Sequence, residues 1–359
     1  MPELAIIGQS PAVVSLIRNL RERGAGWDIT LFSTEGILPY DRTRLVSLIG
    51  RKAREADLLC EAAGFYEKNG VRVVLDKEIA RVNPSRRRIF FSDKTQVGFD
   101  ALVLADAPQV RFAERKGVRK PGVFHLARLS TVKALVKHLV QADTVVIEAA
   151  GWGGIEAALA VRELGRKVMV VILPQFPVGE EGKVSLDVLS ALLSRREIRM
   201  VSEGPLQDII GEGEVRAVRF ASDKVMAAEV VILEEVLPDL RFLSEGGLVV
   251  NERIVVASDM RTSAADVFAI DTVCELQEPR FFGHYAFDAE RVSGQGEVVA
   301  WALSGETRAF SFPPENDRKT FERIFGRDLV EEVERELTPP PEMCMAPTTP
   351  GDDNGTQTS

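Results

Sequence analysis

The stretch TVVIEAAGWGGIEAALAVRELGRKVMVVIL (residues 144–173) decides how the chain is read. It opens with an apolar run, passes through the small residues Ala149, Ala150 and Gly151, continues with apolar residues at helical spacing as far as Gly165, and closes on a second apolar run. Strand, tight turn, helix and strand in that order make a βαβ unit of a parallel sheet. Units of this kind that cradle a dinucleotide carry Gly-x-Gly-x-x-Gly in the turn and an acid at the end of the next strand. The glycines let the backbone approach the pyrophosphate, and the acid holds the ribose. Here Gly151 and Gly154 stand at the second and third glycine places, Ala149 at the first, and Ile172 where the acid is expected.

The unit occurs twice. LAIIGQSPAVVSLIRNLRERG (residues 4–24) superposes without a gap on VVIEAAGWGGIEAALAVRELG (residues 145–165), Gly8 falling on Ala149, Ser10 on Gly151, Val13 on Gly154 and Gly24 on Gly165. DITLF follows the first copy as KVMVVIL follows the second. A lone βαβ unit with one or two glycines is common in α/β proteins that bind no dinucleotide. Two copies with further signals at matching distances imply two nucleotide-type domains on one chain.

Composition narrows the partners. The 359 residues, 45% hydrophobic and 28% charged, suffice for two or three domain cores. A net charge of -9 argues against a general nucleic-acid or membrane-surface binder, which needs a basic excess to meet phosphates. No stretch approaches the roughly 18 apolar residues of a membrane span, and MPELAIIG reads as a buried first strand rather than a leader. Cys60, Cys274 and Cys344 lie far apart with no CxxC or CxxxxC pair, so neither a disulfide framework nor a redox dithiol is indicated, and a reducing cytoplasm is expected.

Further segments resemble the pyridine nucleotide-disulfide oxidoreductase superfamily, most closely the branch without a redox dithiol that holds rubredoxin and ferredoxin reductases, NADH oxidase-like proteins and the flavin domains of nitrite reductases. ITLFSTEGILPYDRTRL (residues 29–45) is similar to that branch's strand, ribose-binding acid and PYxRPxL segment. The resemblance implies Glu35 at the ribose of an FAD adenosine and Arg42 near the flavin. FDALVLADAP (99–108) stands in the place of YDxLVLATG, and GVFHLARLSTVKAL (122–135) looks like the linker into an NAD domain. Residues 237–275 resemble the return into the FAD domain, and SGQGEVVAWALSG (293–305) its closing helix. The resemblance spans residues 4–305.

The implied fold is α/β, with two Rossmann-like domains, the NAD-type one inserted in the FAD-type one. The expected limits are 1–108 and 240–305 for the FAD-type domain and 109–239 for the NAD(P)-type domain. A short helical segment at 306–338, containing DLVEEVEREL, and a disordered Pro/Thr/Gly-rich tail at 339–359 follow. The implied FAD ligands are Gly8, Ser10, Pro11, Ala12, Glu35, Arg42, Ala105, Asp271 and Thr272; Gly151 and Gly154 would serve a weak NAD(P)H site.

Departures from the family pattern cluster where nucleotide would lie. Val13 replaces a small residue that lets the helix pack closely. The ATG place reads Ala105-Asp106-Ala107, its counterpart in the second domain Leu233-Glu234-Glu235, and the family's Gly-Asp reads Asp271-Thr272. The flavin half keeps more of its ligands than the NAD half, where Ile172 cannot hold ribose hydroxyls. FAD is therefore the expected cofactor, and Ala149, Ile172 and the two glutamates are expected to leave the NAD(P)H site weak or silent.

Two candidates for catalysis remain open. Trp152 takes the place of an aromatic that, by resemblance, covers a nicotinamide pocket; the alternative is packing at a domain interface. Glu156 matches an acid beside the flavin, but the Lys that would pair with it is missing from RLVS (44–47), and a surface Glu is the alternative. His125, His138 and His284 show no metal-ligand spacing, so no metal is expected. Cys60 is expected on a helix. The functional expectation is an FAD-dependent oxidoreductase or flavin electron-transfer subunit, passing electrons between a donor, NAD(P)H among the candidates, and a protein or small-molecule acceptor, with a larger redox complex as one setting. The alternative is a non-catalytic homologue that keeps the fold as an interaction module.

Overall fold

The computed structural model describes residues 1–176, 185–243, 247–277, 289–311 and 317–337. The expected tail at 339–359, with Cys344, and also His284 lie outside them. Strand β1 (Glu3–Ile7) runs through Gly8 into helix α1 (Pro11–Glu22), and β2 (Asp28–Phe32), β3 (Val71–Val74) and β4 (Ala101–Leu104) follow. The second copy of the pattern comprises β5 (Val123–His125), α2 (Leu129–His138), β6 (Thr144–Ala149), α3 (Trp152–Glu163), β7 (Lys167–Ile172), α4 (Leu186–Arg195), β8 (Ile198–Val201) and β9 (Val230–Leu233). The chain then returns through β10 (Val267–Ala269) and helices α5 (Ala289–Leu303), α6 (Asp317–Phe325) and α7 (Arg327–Leu337).

Two parallel five-stranded sheets result, ordered β10-β4-β1-β2-β3 and β8-β7-β6-β9-β5. The first draws its outer strand from beyond the second, so the second domain is inserted in the first. The repeat extends past the quoted units. Each sheet carries a three-stranded antiparallel meander ahead of its last central strand, over Ile79–Asn83, Arg88–Phe91 and Gln96–Gly98 in one copy and Leu206–Ile210, Ala217–Phe220 and Val225–Ala227 in the other.

Helix α1 starts at Pro11, whose fixed φ and missing N–H suit the first helical position. It buries Ala12, Val13, Leu16, Ile17 and Leu20 along one face. A fully buried Leu or Ile contributes about 1.5–3 kcal/mol, and this stripe ties α1 to the β1 core and to α5. The contact with α5 is close: a Cβ added at Gly296 would lie 2.0 Å from the Ala12 carbonyl oxygen, so only glycine serves there. Val13, expected to disturb the packing, is fully buried in this core.

Two local expectations change. Ala149 does not occupy a tight turn: it ends β6, paired with Ile172, and has no positive φ, whereas Gly8 turns at φ +113°. The room for its methyl comes from Gly154, where a Cβ would fall 2.7 Å from that of Ala149. Cys60 is not helical, because the stretch breaks into a 3₁₀ turn at Glu55–Leu58 and a helix that begins only at Ala63.

Candidate functional site

The flavin-type site forms where the turn after β1 meets the segments after β2, β4 and β10. Gly8 makes the first of these turns. A Cβ there would come within 2.5 Å of the Asp106 Cβ, and its φ of +113° is one that L side chains avoid. Ser10 caps α1 with its hydroxyl fully buried, beside Asp271 but in no well-formed hydrogen bond. Pro11 and Ala12 form the first turn. Ala105 follows β4, its amide bonded to the Ile7 carbonyl at 2.8 Å, and brings only a methyl to the turn before α1.

Arg42 is the electrostatic centre. It is held after Asp41, which caps a short 3₁₀ turn by accepting from the Thr43 amide. Its Nη2 lies 2.6 Å from Asp106 Oδ2, its Nη1 3.9 Å from Asp271 Oδ2 and 3.4 Å from Thr272 Oγ1. Burial pulls the guanidinium pKa down, but Asp106, Tyr40, Asp271 and Glu35 raise it further, so Arg42 stays charged. Its Nε makes no hydrogen bond, and its Nη2 meets Asp106 as an ion pair. Asp271 takes the family's Gly place in the left-handed region at φ +61°, the turn surviving with an Asp because the Gln295 side chain receives its amide at 2.6 Å. Burial raises the Asp271 carboxyl against the pull of Arg42.

Glu35 is drawn inward. Its Oε1 accepts from Tyr40 Oη at 2.7 Å and Gln9 Nε2 at 3.0 Å, and its Oε2 from the Leu129 amide at 3.1 Å. Arg128, at the start of α2, joins this group to the cleft: it donates to the Ala107 carbonyl and approaches Asp106 at 3.5 Å and Glu35 at 4.0 Å. Tyr40 lies in the PYxRPxL-like segment but is given no role there, and Gln9 and Arg128 are not picked out by motif at all. The only sequence signal of Gln9 and Arg128 is polar or charged character beside apolar runs, which is common on any surface. Next to Glu35 opens a pocket of about 260 Å³ lined by Ser33, Thr34, Gly36, Leu75, Ile79 and Pro108 among others.

The second site is arranged differently. Glu234 follows β9 and its carboxylate enters the turn before α3, where Oε2 accepts from the Ala150 amide at 2.8 Å and the Gly151 amide at 2.9 Å. The Gly154 amide adds a weaker third interaction. A Cβ at Gly154 would lie 2.5 Å from Glu234 Oε2 and one at Gly151 3.4 Å from Oε1, so the space these glycines leave holds a side chain. Burial pushes the Glu234 carboxyl up to about 8, with the amides of Gly151, Ala150 and Gly154 pulling the other way. Glu235 turns aside to accept from Gln175 Nε2 at 2.7 Å. Trp152 packs edge-on against Phe176 and Phe321, at 5.0 and 5.6 Å, and Glu156 pairs with Arg323 at 2.6 Å, so α6 partners both.

The two described thiols are poor nucleophiles: burial pushes Cys60 up to about 12 and raises Cys274 as well. His125, lowered to about 4 by burial, accepts from the Ala127 amide and contacts Thr131 Oγ1. Among the described residues no group of His, Cys, Asp and Glu could hold a metal ion, and no helix is long and apolar enough to cross a membrane.

A parallel-sheet domain with a phosphate-type helix N-terminus, holding a second such domain as an insert, defines a two-dinucleotide flavoprotein architecture. Residues 2–285 match the family model described as pyridine nucleotide-disulphide oxidoreductase, and the chain belongs to that family. Members of the family bind FAD and use NAD(P)H. The rubredoxin-NAD(+) reductase of Pseudomonas putida is 26% identical over 317 residues, 87% of this chain and 82% of that protein. The large subunit of Escherichia coli nitrite reductase (NADH) is 27% identical over 78% of this chain and 34% of its own length. The crystal structure of the ferredoxin reductase for the CYP199A2 system from Rhodopseudomonas palustris superposes with a TM-score of 0.75 at 21% identity, covering 88% of this chain and 79% of that one. These relatives are reductases and electron-transfer proteins, which favours the flavin oxidoreductase reading over a non-catalytic module.

Proposed function

We propose that this chain carries one non-covalent FAD and passes electrons to a redox-protein acceptor, in the cytoplasm and within a larger redox assembly. Residues 1–108 and 240–305 would form the flavin domain and 109–239 the inserted one. The observation that carries the reading is the set of buried donors without a well-formed hydrogen bond, Ser10 Oγ and Arg42 Nε, beside the N-terminus of α1, opposite which Ala105 projects only a methyl. Buried donors without partners are rare in a finished protein core and mark a place built for a ligand. A helix N-terminus offers N–H groups and a positive dipole end to phosphate.

Gly8, Ser10, Pro11 and Ala12 would hold the pyrophosphate and Arg42 with Thr272 the flavin side. The pocket lined by Ser33, Thr34 and Leu75 would take the adenine. Glu35 would reach the ribose by exchanging its bond from Gln9. Bound flavin supplies the redox chemistry; the protein supplies orientation and the charge around it. Arg42 and Arg128 offset Asp106, which would otherwise repel the phosphates.

Denaturing the purified protein and separating the supernatant by chromatography should release FAD in a sizeable fraction of one equivalent. Colourless protein that takes up no added FAD would overturn the reading in favour of an interaction module.

A further inference from the structure

The N-terminal turn of α3 already has an occupant. Two of its amides donate to one oxygen of Glu234, at 2.8 and 2.9 Å, and a third leans toward it. These are the groups that a dinucleotide pyrophosphate would need. Glu234 is only 6% exposed, and its backbone is fixed by the bond from its amide to the Glu148 carbonyl at 3.1 Å, in continuation of the β6–β9 ladder. Among the described residues, Ile172 ends β7 where a ribose ligand would stand and offers that ribose no hydrogen bond.

We propose that Glu234 determines which nucleotide this chain accepts: its carboxylate fills the α3 seat and shuts it to nicotinamide dinucleotides, while the α1 seat stays available. A pyrophosphate and the Glu234 carboxylate cannot share the same amides. An expelled carboxylate would remain beside two phosphates, with Glu156 on the same helix adding its charge. Electrons would then enter without a nicotinamide bound at this seat. That consequence rests on the flavin reading of the preceding section; the closure does not.

Ala149 and Ile172 become secondary causes of the weak second site. The double change Ala149→Gly with Ile172→Glu should gain little while Glu234 stays in place, and Trp152, engaged with Phe176 and Phe321, is not the block.

The test is calorimetric titration of the full chain with NADH and with ADP-ribose, comparing the unmodified protein, Glu234→Ala and Glu234→Gln. The unmodified protein should bind both only on the order of millimolar or weaker. Glu234→Ala should bind at least about tenfold tighter. Glu234→Gln keeps a side-chain acceptor for the amides and should stay closed. Micromolar binding by the unmodified chain would overturn the proposal. So would equal tightening in both variants, because charge rather than occupancy would then be responsible.

Flavin released from the same samples is measured separately. Absence of FAD with the expected titrations would sink the flavin reading and leave the closure standing; FAD together with micromolar NADH would do the reverse. Should Glu234→Ala not fold, hydrogen exchange at the Ala150 and Gly151 amides of the unmodified protein decides. Protection present without ligand and unchanged by NADH supports closure, and protection that appears only with NADH overturns it.

Discussion

The two βαβ copies differ most at one place. Ile7 pairs with Leu104 in the first sheet and Glu148 with Leu233 in the second, so Ala105 and Glu234 hold equivalent positions. Each sends its amide to the carbonyl of the central strand, at 2.8 and 3.1 Å. From the same backbone point one copy projects a methyl and the other a carboxylate. The methyl offers Ser10 no acceptor; the carboxylate satisfies Ala150 and Gly151. The acid of the first copy comes one residue later, as Asp106, where it meets Thr34, Arg42 and Arg128 instead of helix amides. A nucleotide fingerprint is thus only half of a site. The residue facing it across the turn decides whether its amides are free.

The copies also handle buried charge by different means, and the largest expected effect tests this. In the first, Arg42 stands between Asp106 and Asp271 with all three side chains nearly inaccessible. Removing one partner of a buried pair typically costs about 3–5 kcal/mol, because the other charge is left uncompensated. Arg42→Met should lower stability by that order in urea unfolding and also lose flavin. Adding Asp106→Asn should recover part of the stability, since the stranded carboxylate disappears. An Arg42→Met protein as stable as the original would show that the cluster contributes nothing net.

A smaller but more direct test makes the first copy resemble the second. Ala105→Glu places a carboxylate opposite α1 as Glu234 stands opposite α3. FAD retention should fall at least about tenfold, equivalent to about 1.4 kcal/mol or more, while circular dichroism keeps the folded signal. Undiminished FAD in a folded Ala105→Glu protein would mean that this position does not control the seat. It would also weaken the comparison for Glu234.

Much of this was legible in the sequence, and the exceptions have a common cause. The repeat at residues 4–24 and 145–165 gave both sheets, because strand and helix periodicities are local and strong. Segment order also anticipated that Gly8 and Ala105, Ser10 and Asp271, and Arg42 and Thr272 come close to one another in the fold. Harder to read was the direction of side chains across a turn. Glu234 and Glu235 are adjacent and chemically alike in sequence, yet one enters the α3 turn and the other bonds Gln175. Strand parity decides between them, and it requires the register of β9 against β6. The Ala149 methyl could not be judged either without seeing that Gly154 makes room for it. Trp152 and Glu156 gain partners from α6, more than a hundred residues away in sequence.

The pH dependence of stability isolates the buried acid of the second copy. Glu234 titrates at about 8 in the folded protein against 4.5 in an unstructured chain, chiefly because it is buried. Below 4.5 both states hold the proton and the contribution of Glu234 to stability is whole. As pH rises from there the unfolded chain releases the proton first, so stability declines through the folded value near 8 and then levels. One proton gives a slope of at most about 1.4 kcal/mol per pH unit. Glu234→Gln cannot titrate, so between about pH 5 and about pH 8 its stability should fall less steeply than that of the unmodified protein, the difference approaching that slope. Urea midpoints across this range measure it. Parallel lines would mean that the three amides keep Glu234 ionised despite its burial. The α3 seat would then be closed by a full negative charge, the condition most hostile to pyrophosphate, and closure should persist at every pH at which the protein folds.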